Sequence, residues 1–466
     1  MRGIVVDCVQ EKNKKSGIAM NGLTLKYGTV IRRHVLFSLL LIAHFGIGLY
    51  FLQGYVPWQS LNFIIAVAGL PIIIYGSVSG ERTFRFAFLG LTAALSAYFF
   101  PVNAVLFLAL ILSAAGVIEW VYGKMSMIPI LIVLIISPVS YIITILSFPI
   151  RIWLTKIAAG IIGSIGSGTV AVGNVIIYNG IDYSVDPACM GLKMLSTSLW
   201  FSLYLLYFIQ KKHNRYLSLH MLLSSLVIVG LLNIVTNLSR IVLLVYFNIQ
   251  PDNIMHDLVG VGCFVLYTVL PVLYLFNKLV ERKGRRVGKP EFQSGGSIAF
   301  NIIPFVILAV IVFSGIHIRT NNNQVSVTKV KQIEGYTCDN FSNDVVRIAN
   351  DNTLIYIKSI PAFYSSEHNP LMCWVGSGYE FNQLKEQRYK NVRVYTGMLQ
   401  DKENVLYTAW WYDNGKKRTV SQLIWRWDML RGAHKYSVVN VTCNTEKDLN
   451  REVNKILATD FLNKSL

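Results

Sequence analysis

Three residues that could act together as a nucleophile, a cation and a base lie in short polar breaks between long apolar runs. Cys189 lies in the segment 186–191 (DPACMG), immediately before an apolar run. Arg240 ends the segment 237–240 (NLSR) at the far end of the next run, and His256 begins the run after that. A thiolate can attack a carbonyl group, a guanidinium can bind the developing oxyanion, and an imidazole can move the protons. If the chain crosses a membrane at each run, all three residues reach the same membrane surface.

The composition indicates that such a site would lie in a membrane protein. Of 466 residues, 53% are hydrophobic and only 15% are charged, and the mean hydropathy is +0.47. The formal net charge of +18 does not indicate nucleic-acid binding, because the cations cluster in short loops as the positive-inside rule expects. The six cysteines lack the spacing of zinc ligands. We therefore predict a polytopic α-helical membrane protein without a metal or a cofactor.

Apolar runs of membrane-spanning length divide the chain. A helix needs about 20 apolar residues to cross the hydrocarbon core. Nine runs fit this length, at 34–52, 61–78, 84–100, 102–120, 127–148, 190–209, 217–237, 257–277 and 297–316. We expect a cytoplasmic segment 1–33, a transmembrane domain 34–316 and an extracytoplasmic domain 317–466.

The loops between these runs predict the orientation. Cations are concentrated in the N-terminal segment and in every second loop, whereas the loops near Gly54 and Pro101 have none. The cations that define the predicted cytoplasmic side are Lys12, Lys14, Lys15, Lys26, Arg32, Arg33, Arg82, Arg85, Lys124, Lys211, Lys212, Arg215 and those of 278–286. The bias places the N-terminus inside a cytoplasmic (inner) membrane, and nine crossings then place the C-terminal domain outside.

The segment 149–189 does not fit a simple span. Residues 152–172 are apolar but contain Lys156 and four glycines, at positions 160, 163, 166 and 168. A tenth span here would separate Cys189 from His256 or reverse the cation bias. We expect instead an amphipathic or re-entrant segment against the outer leaflet, with glycines that allow close helix packing.

The surroundings of the three residues support their chemical roles. Cys189 precedes a helix start, where free N–H groups and the helix dipole favour the thiolate. An intramembrane guanidinium such as Arg240 is functional by default, and Asn237 lies one turn earlier and could orient it. Asp257 follows His256 and is expected to point away from it. Residues outside this group that we expect to be structural are Cys263, His34, His44 and His220.

Residues 317–466 predict a separate α+β domain. Two alternating runs, 392–399 and 405–412, and a turn at 413–415 favour a hairpin. A helix at 422–431, a strand at 435–443 and a second helix at 446–462 follow. Cys338, Cys373 and Cys443 would face an oxidising compartment, so two of them could form a disulfide, with the pairing left open. A second site at Cys373 and His368 is an alternative to simple packing.

The ordered motifs resemble those of the exosortase/archaeosortase family of polytopic membrane cysteine transpeptidases. They are Asp-x-x-Cys-x-Gly at 186–191, Asn-x-x-Arg at 237–240 and His-x-x-x-Gly at 256–260, within a resemblance that covers roughly 35–280. The region around Cys373 resembles the accessory domain fused to many exosortases. Met190 departs from the family pattern, which has serine after the cysteine. The subtype therefore stays open, with the exosortase N subtype one candidate.

The resemblance implies roles for individual residues. Cys189 would be the nucleophile, Arg240 the transition-state stabiliser and His256 the acid/base, with support from Asn237, Gly191 and Asp186. The substrates implied are exported proteins whose C-terminus carries a short motif, a transmembrane helix and a basic tail. The enzyme would cleave this sorting signal and pass the protein to water or to an acceptor amine, lipid- or glycan-linked, with membrane lipids as its other partners.

Two other classes of function remain open. A polytopic lipid-linked glycan transferase or polymerase can also have basic loops and an outer arginine, although it would ordinarily have more acidic residues in its outer loops. A non-enzymatic export or assembly protein is the second alternative, although few charged residues lie within the predicted spans to form an ion or proton path.

Overall fold

A computed structural model describes residues 35–77, 83–139, 147–165, 168–185, 192–250, 253–286, 302–322, 335–342, 345–363, 374, 379–401, 404–459 and 462. The chain divides into two compact units. Unit 1 consists of Met1–Ser137, Asn214–Tyr216 and Arg285–Asn321, and unit 2 consists of Pro138–His213, Leu217–Gly284 and Asn322–Leu466.

Unit 1 is built from apolar helices. They are α1 (Val35–Phe51), α2 (Leu61–Ala68), α3 (Leu70–Ser77), α4 (Arg85–Phe99), α5 (Asn103–Tyr122), α6 (Ile128–Leu134, continued by a π-helical turn at Ile135–Val139) and α12 (Ile303–Asn322). Two short strands, β4 (Arg215–Tyr216) and β5 (Arg285–Arg286), pair antiparallel.

The buried polar groups of unit 1 form local networks. The imidazole of His44 contacts the Leu40 carbonyl at 2.7 Å and the Ser113 hydroxyl at 2.8 Å, which supports the structural role expected for it. The fully buried carboxylate of Glu119 accepts hydrogen bonds from Arg85 Nε at 2.9 Å and Thr83 Oγ1 at 2.8 Å. Because the buried side chains of His44 and Glu119 have hydrogen-bond partners, these two networks stabilise helix packing.

The helices of unit 2 hold the predicted site. They are α7 (Ser147–Ile165), α8 (Leu192–His213), α9 (Leu219–Tyr246), α10 (Ile254–Phe264) and α11 (Leu270–Lys283), and a π-helical turn at Val265–Val269 joins the last two. A three-stranded antiparallel sheet lies between α7 and α8, with strands β1 (Thr169–Val172), β2 (Val175–Tyr178) and β3 (Ile181–Ser184). Within the segment 149–189, the helix ends at Ile165 and three strands follow, which the sequence did not predict. The amphipathic or re-entrant placement of this segment stays a prediction.

Within the part of the chain that the structure describes, four helices are long and apolar enough to cross a membrane. They are Asn103–Tyr122, Leu219–Tyr246, Ile254–Lys283 and Ile303–Thr320, and four shorter apolar helices accompany them. Each of the nine predicted spans overlaps a helix of the described chain, but the number of crossings stays a prediction.

The C-terminal part of unit 2 is a large antiparallel sheet with two helices. The strands are β6 (Thr337–Ser342), β7 (Val345–Ala349), β8 (Thr353–Ser359), β9 (Glu380–Tyr389), β10 (Val392–Gln400), β11 (Val405–Asp413), β12 (Arg418–Thr419) and β13 (Ser437–Cys443). Their order is β6-β7-β8-β13-β11-β10-β9, with β12 paired to β11. Helices α13 (Gln422–Leu430) and α14 (Glu446–Ala458) begin at the N-caps Ser421 and Thr445.

This part of the chain confirms several predicted elements. The β10–β11 hairpin, the turn after Asp413, both helices and β13 lie where the sequence predicts them. Strands β6 to β9 were not predicted. Cys338 is exposed and Cys443 is buried, and both are free, so these two do not form a disulfide with each other. Cys373 and His368 lie outside the described residues.

Candidate active site

Arg240 and His256 lie on two consecutive helices of unit 2. Helix α9 does not end at 237, as predicted, but continues to Tyr246, so Arg240 lies about two turns inside it. Helix α10 begins after Asn253, whose side chain accepts a hydrogen bond from the Met255 N–H at 3.0 Å. This N-cap fixes the start of α10 and places His256 in its first turn.

The side chains of Arg240 and His256 are in contact. Arg240 Nη2 lies 3.4 Å from His256 Nδ1, and the imidazole is only 12% exposed. Asp257 Oδ1 lies 3.6 Å from the same nitrogen, so the expectation that Asp257 points away is wrong, although its side chain is 88% exposed. Nδ1 thus has a donor and an acceptor within reach. An imidazole placed between a cation and a carboxylate is a suitable group for moving protons.

Gly260 provides the space for the guanidinium. A Cβ atom at this position would lie 3.1 Å from Arg240 Nε and 3.3 Å from its Cζ. Gly260 follows His256 by one helical turn, on the same face of α10, so any larger residue would press on the arginine beside the imidazole. The sequence motif His-x-x-x-Gly included this glycine, but its packing role was not predicted.

Asn237 is a buried amide with unused hydrogen-bonding capacity. Its side chain is 1% exposed, and within the described residues neither its Oδ1 nor its Nδ2 has a hydrogen-bond partner. Arg240 Nε is also buried without a hydrogen-bond partner among the described residues. The expected hydrogen bond from Asn237 to the guanidinium is therefore not formed. An unsatisfied buried polar group costs about 1–3 kcal/mol, which calls for a ligand or a further chain segment at this point.

Cys189, Asp186 and Gly191 lie outside the described residues, but the chain on both sides of them is described. Before them, Tyr183 and Val185 are buried in one apolar core with Ile241 and Val245 of α9. The strand that leads to Cys189 therefore packs on the helix that carries Arg240.

The helix contacts of α8 show which end of the helix lies near this core. Ser198 of α8 accepts a hydrogen bond from Asn233 of α9 at 3.0 Å, and the His213 ring at the other end of α8 lies 3.3 Å from Asn277 of α11. Arg240 lies about two turns beyond Asn233 on the antiparallel α9, and the start of α8 lies almost two turns before Ser198. Arg240 is therefore level with the N-terminal end of α8.

These features define an integral membrane protein with a partly buried arginine–histidine pair at one end of a helix bundle. No group of three or more possible metal ligands occurs among the residues that the structure describes. Residues 81–273 match the family model described as transmembrane exosortase (Exosortase_EpsH). The family resemblance predicted from the motifs is thus confirmed, over a shorter range than 35–280.

The family in general consists of membrane cysteine transpeptidases that act in protein sorting. No curated protein and no solved structure matches the chain. Roles for individual residues are therefore assigned from the geometry of this chain alone.

Proposed function

We propose that this protein is a membrane-embedded cysteine protease/transpeptidase that cleaves the C-terminal sorting signals of exported proteins at the outer membrane surface. The observation that carries the proposal is the contact between Arg240 and His256 at 3.4 Å, at the level where α8 begins. Helix α8 begins three residues after Cys189. A cation, an imidazole and the chain next to a thiol thus meet at one end of the bundle.

The proposed reaction has two acyl-transfer steps. In the first, the Cys189 thiol gives its proton to His256, and the thiolate attacks the carbonyl carbon of the scissile peptide bond. The C–N bond then breaks, the imidazolium protonates the leaving amine, and a thioester remains on Cys189. In the second step an acceptor amine, or water, attacks the thioester and gives a proton to His256. The C–S bond breaks as the new bond to the carbonyl carbon forms, and the imidazolium returns its proton to the departing sulfur, which regenerates the Cys189 thiol.

Arg240 fits the role of oxyanion stabiliser. Its guanidinium has five N–H donors, and Nε is buried without a partner among the described residues. A preorganised donor of this kind gains strength where charge develops in the transition state, since a buried site has a low dielectric constant. The Asn237 amide has a donor and an acceptor without partners among the described residues, and these match the C=O and N–H of a substrate peptide group.

Two pairs of contacts support the proposed topology. Strands β4 and β5, which follow α8 and α11 in the chain, pair with each other, so two loops predicted to be cytoplasmic lie together. The C-terminal end of α8 lies beside α11, because the His213 ring is 3.3 Å from the Asn277 side chain. Both observations agree with the starts of α8 and α10 sharing the opposite, outer side.

The test replaces Cys189 by Ala in cells that also produce an exported protein ending in a motif, a transmembrane helix and a basic tail. We expect the variant to accumulate in the membrane while the full-length substrate remains unprocessed. Cys263→Ala is the matched control, because this buried thiol lies in α10 near Arg240 and has no assigned role. Normal processing by Cys189→Ala would refute the proposal, as would equal loss in both variants.

A further inference from the structure

The C-terminal domain touches the β1–β3 sheet at a turn that only glycine can form. Gly173, at the tip of the β1–β2 hairpin, has φ +61°, and a Cβ atom there would lie 2.0 Å from the carbonyl oxygen of Leu384 in β9. The next residue, Asn174, donates its backbone N–H to the same oxygen at 3.2 Å. The hairpin tip is therefore in backbone contact with the domain.

A bulge in β9 prepares the carbonyl of Leu384 for this contact. The register between β9 and β10 shifts opposite Gly397, and Gln383 has φ +50°. The Leu384 side chain is fully buried against Gly397, where a Cβ atom would lie 2.6 Å from it. Residues in a bulge do not take part in the regular hydrogen bonds between the strands, and their backbone groups point in other directions. The Leu384 carbonyl can therefore accept a hydrogen bond from the β1–β2 hairpin.

The backbone of the same residue, Asn174, also connects the domain to the cysteine segment. The carbonyl oxygen of Asn174 accepts a hydrogen bond from the N–H of Val185 at 2.8 Å. Val185 immediately precedes the segment 186–191 that contains Cys189. Ile152 of α7 packs on the core of the C-terminal domain and adds a second contact.

We propose that the C-terminal domain positions the catalytic cysteine, by docking the Leu384 carbonyl on the Gly173–Asn174 turn. The inference rests on the proposed function only in taking Cys189 as the nucleophile. Gly173 and Leu384 are positioning residues. They act through Asn174 and Val185 on the segment that carries the thiol, so the domain is part of the working enzyme.

The test variant is Gly173→Ala, and its matched control is Gly180→Ala. Both glycines have positive φ, +61° and +78°, and both lie in turns of the same small sheet. No atom of the described residues lies within 4 Å of a Cβ at Gly180. Both variants therefore bear similar backbone strain from the positive φ, and only the Cβ of Gly173→Ala meets Leu384.

Three measurements on the full-length protein follow the consequences. A protease site inserted between residues 322 and 335 shows whether the cleaved domain stays bound. Peptide mass spectrometry gives the rate of Cys189 alkylation, and substrate processing gives kcat and KM. For Gly173→Ala we expect release of the domain, a changed alkylation rate and a fall in kcat of at least about tenfold with little change in KM, since misplacement by about 1 Å can cost about a hundredfold. Gly180→Ala should match the wild type.

If Gly173→Ala does not accumulate in the membrane, a second pair of variants with smaller structural effects tests the same contact. Ile152→Ala weakens the docking contact on α7, and Ile161→Ala alters an exposed residue of the same helix. Ile152→Ala should lower kcat and domain retention more than Ile161→Ala does. Release of the domain with an unchanged alkylation rate and unchanged kcat would overturn the inference and leave the proposed function intact. Retention of the domain in Gly173→Ala would also overturn the inference. Unchanged processing by Cys189→Ala, by contrast, would refute the proposed function itself.

Discussion

Arg240 Nη2 lies 3.4 Å from His256 Nδ1, and this contact joins the last turns of α9 to the first turn of α10. The Asn253 cap fixes the start of α10, and Gly260 leaves room for the guanidinium one turn later. The start of α10 and the close contact between Gly260 and the guanidinium thus determine the position of the Arg240–His256 pair. A change at either point should alter catalysis before it alters the fold.

Replacing Arg240 by Lys should nearly abolish processing while the protein still accumulates. A lysine ammonium keeps the charge but lacks the planar fork of donors that reaches both His256 and an oxyanion. We expect kcat to fall about 10²- to 10³-fold, as when one oxyanion donor is removed. The exposed Arg282→Lys in the last turn of α11 is the control. Wild-type kcat in Arg240→Lys would mean that this arginine serves only as a membrane anchor.

Replacing Gly260 by Ala should reduce activity without weakening the helix. Alanine favours a helix by about 1 kcal/mol over glycine, so a loss of stability is not expected from the backbone. Its Cβ, however, would lie 3.1 Å from Arg240 Nε and displace the guanidinium. Gly262→Ala is the matched control on the same helix, because its Cβ meets nothing within 4 Å. The measurement is kcat together with the melting temperature in detergent, and equal kcat in both variants would contradict the packing role.

Replacing Asn237 by Leu should separate substrate binding from stability. Since neither amide atom of Asn237 has a partner among the described residues, removing them should leave the melting temperature unchanged or higher. If the amide binds a substrate peptide group, KM should rise about three- to tenfold, because one hydrogen bond contributes about 0.5–1.5 kcal/mol.

Asn233→Leu provides the contrast for this prediction. The Asn233 amide donates to Ser198, so its loss should lower the melting temperature and leave that hydroxyl without this donor. A lower melting temperature in Asn237→Leu would show instead that the Asn237 amide supports the fold.

The Arg240–His256 pair could be predicted from the sequence because its signals are local. A cation within an apolar run, and a histidine where the next run begins, are both visible in short stretches of sequence. Helix periodicity and the loop charges then place them at one end of a bundle. The predicted span stopped at 237, before the polar residues 237–240, whereas α9 continues to Tyr246, because a helix tolerates buried polar residues that face a site.

The contact between Gly173 and Leu384 could not be predicted in this way. It is made by backbone atoms of two segments far apart in the chain, and no side-chain type marks it. The β1–β3 sheet was missed for a related reason. Its strands are only four residues long, and the glycines near them resemble those of closely packed helices. Only the positive φ values of Gly173 and Gly180 distinguish the turns.

The C-terminal domain should lose a specific part of its stability in acid. The hydrogen bond from Lys417 Nζ at 2.7 Å, helped by the Tyr436 hydroxyl at 2.9 Å, lowers the pKa of the Asp428 carboxyl below its ordinary value near 3.8. A carboxyl with a lowered pKa in the folded state contributes stability above its unfolded pKa. That contribution is lost as the pH falls from this value through the folded pKa.

Asp428→Asn should therefore be less stable than the wild type near neutral pH, with a difference that shrinks below about pH 4. The buried Trp410, Trp411 and Trp425 report unfolding of this domain by fluorescence in the detergent-solubilised protein. Asp401→Asn is the control for the loss of a carboxylate, because Asp401 is exposed in the turn between β10 and β11. If the stability difference between Asp428→Asn and the wild type stayed the same in acid, the loss would come from the packing of the amide. The stability that this carboxylate supplies would then not depend on its charge.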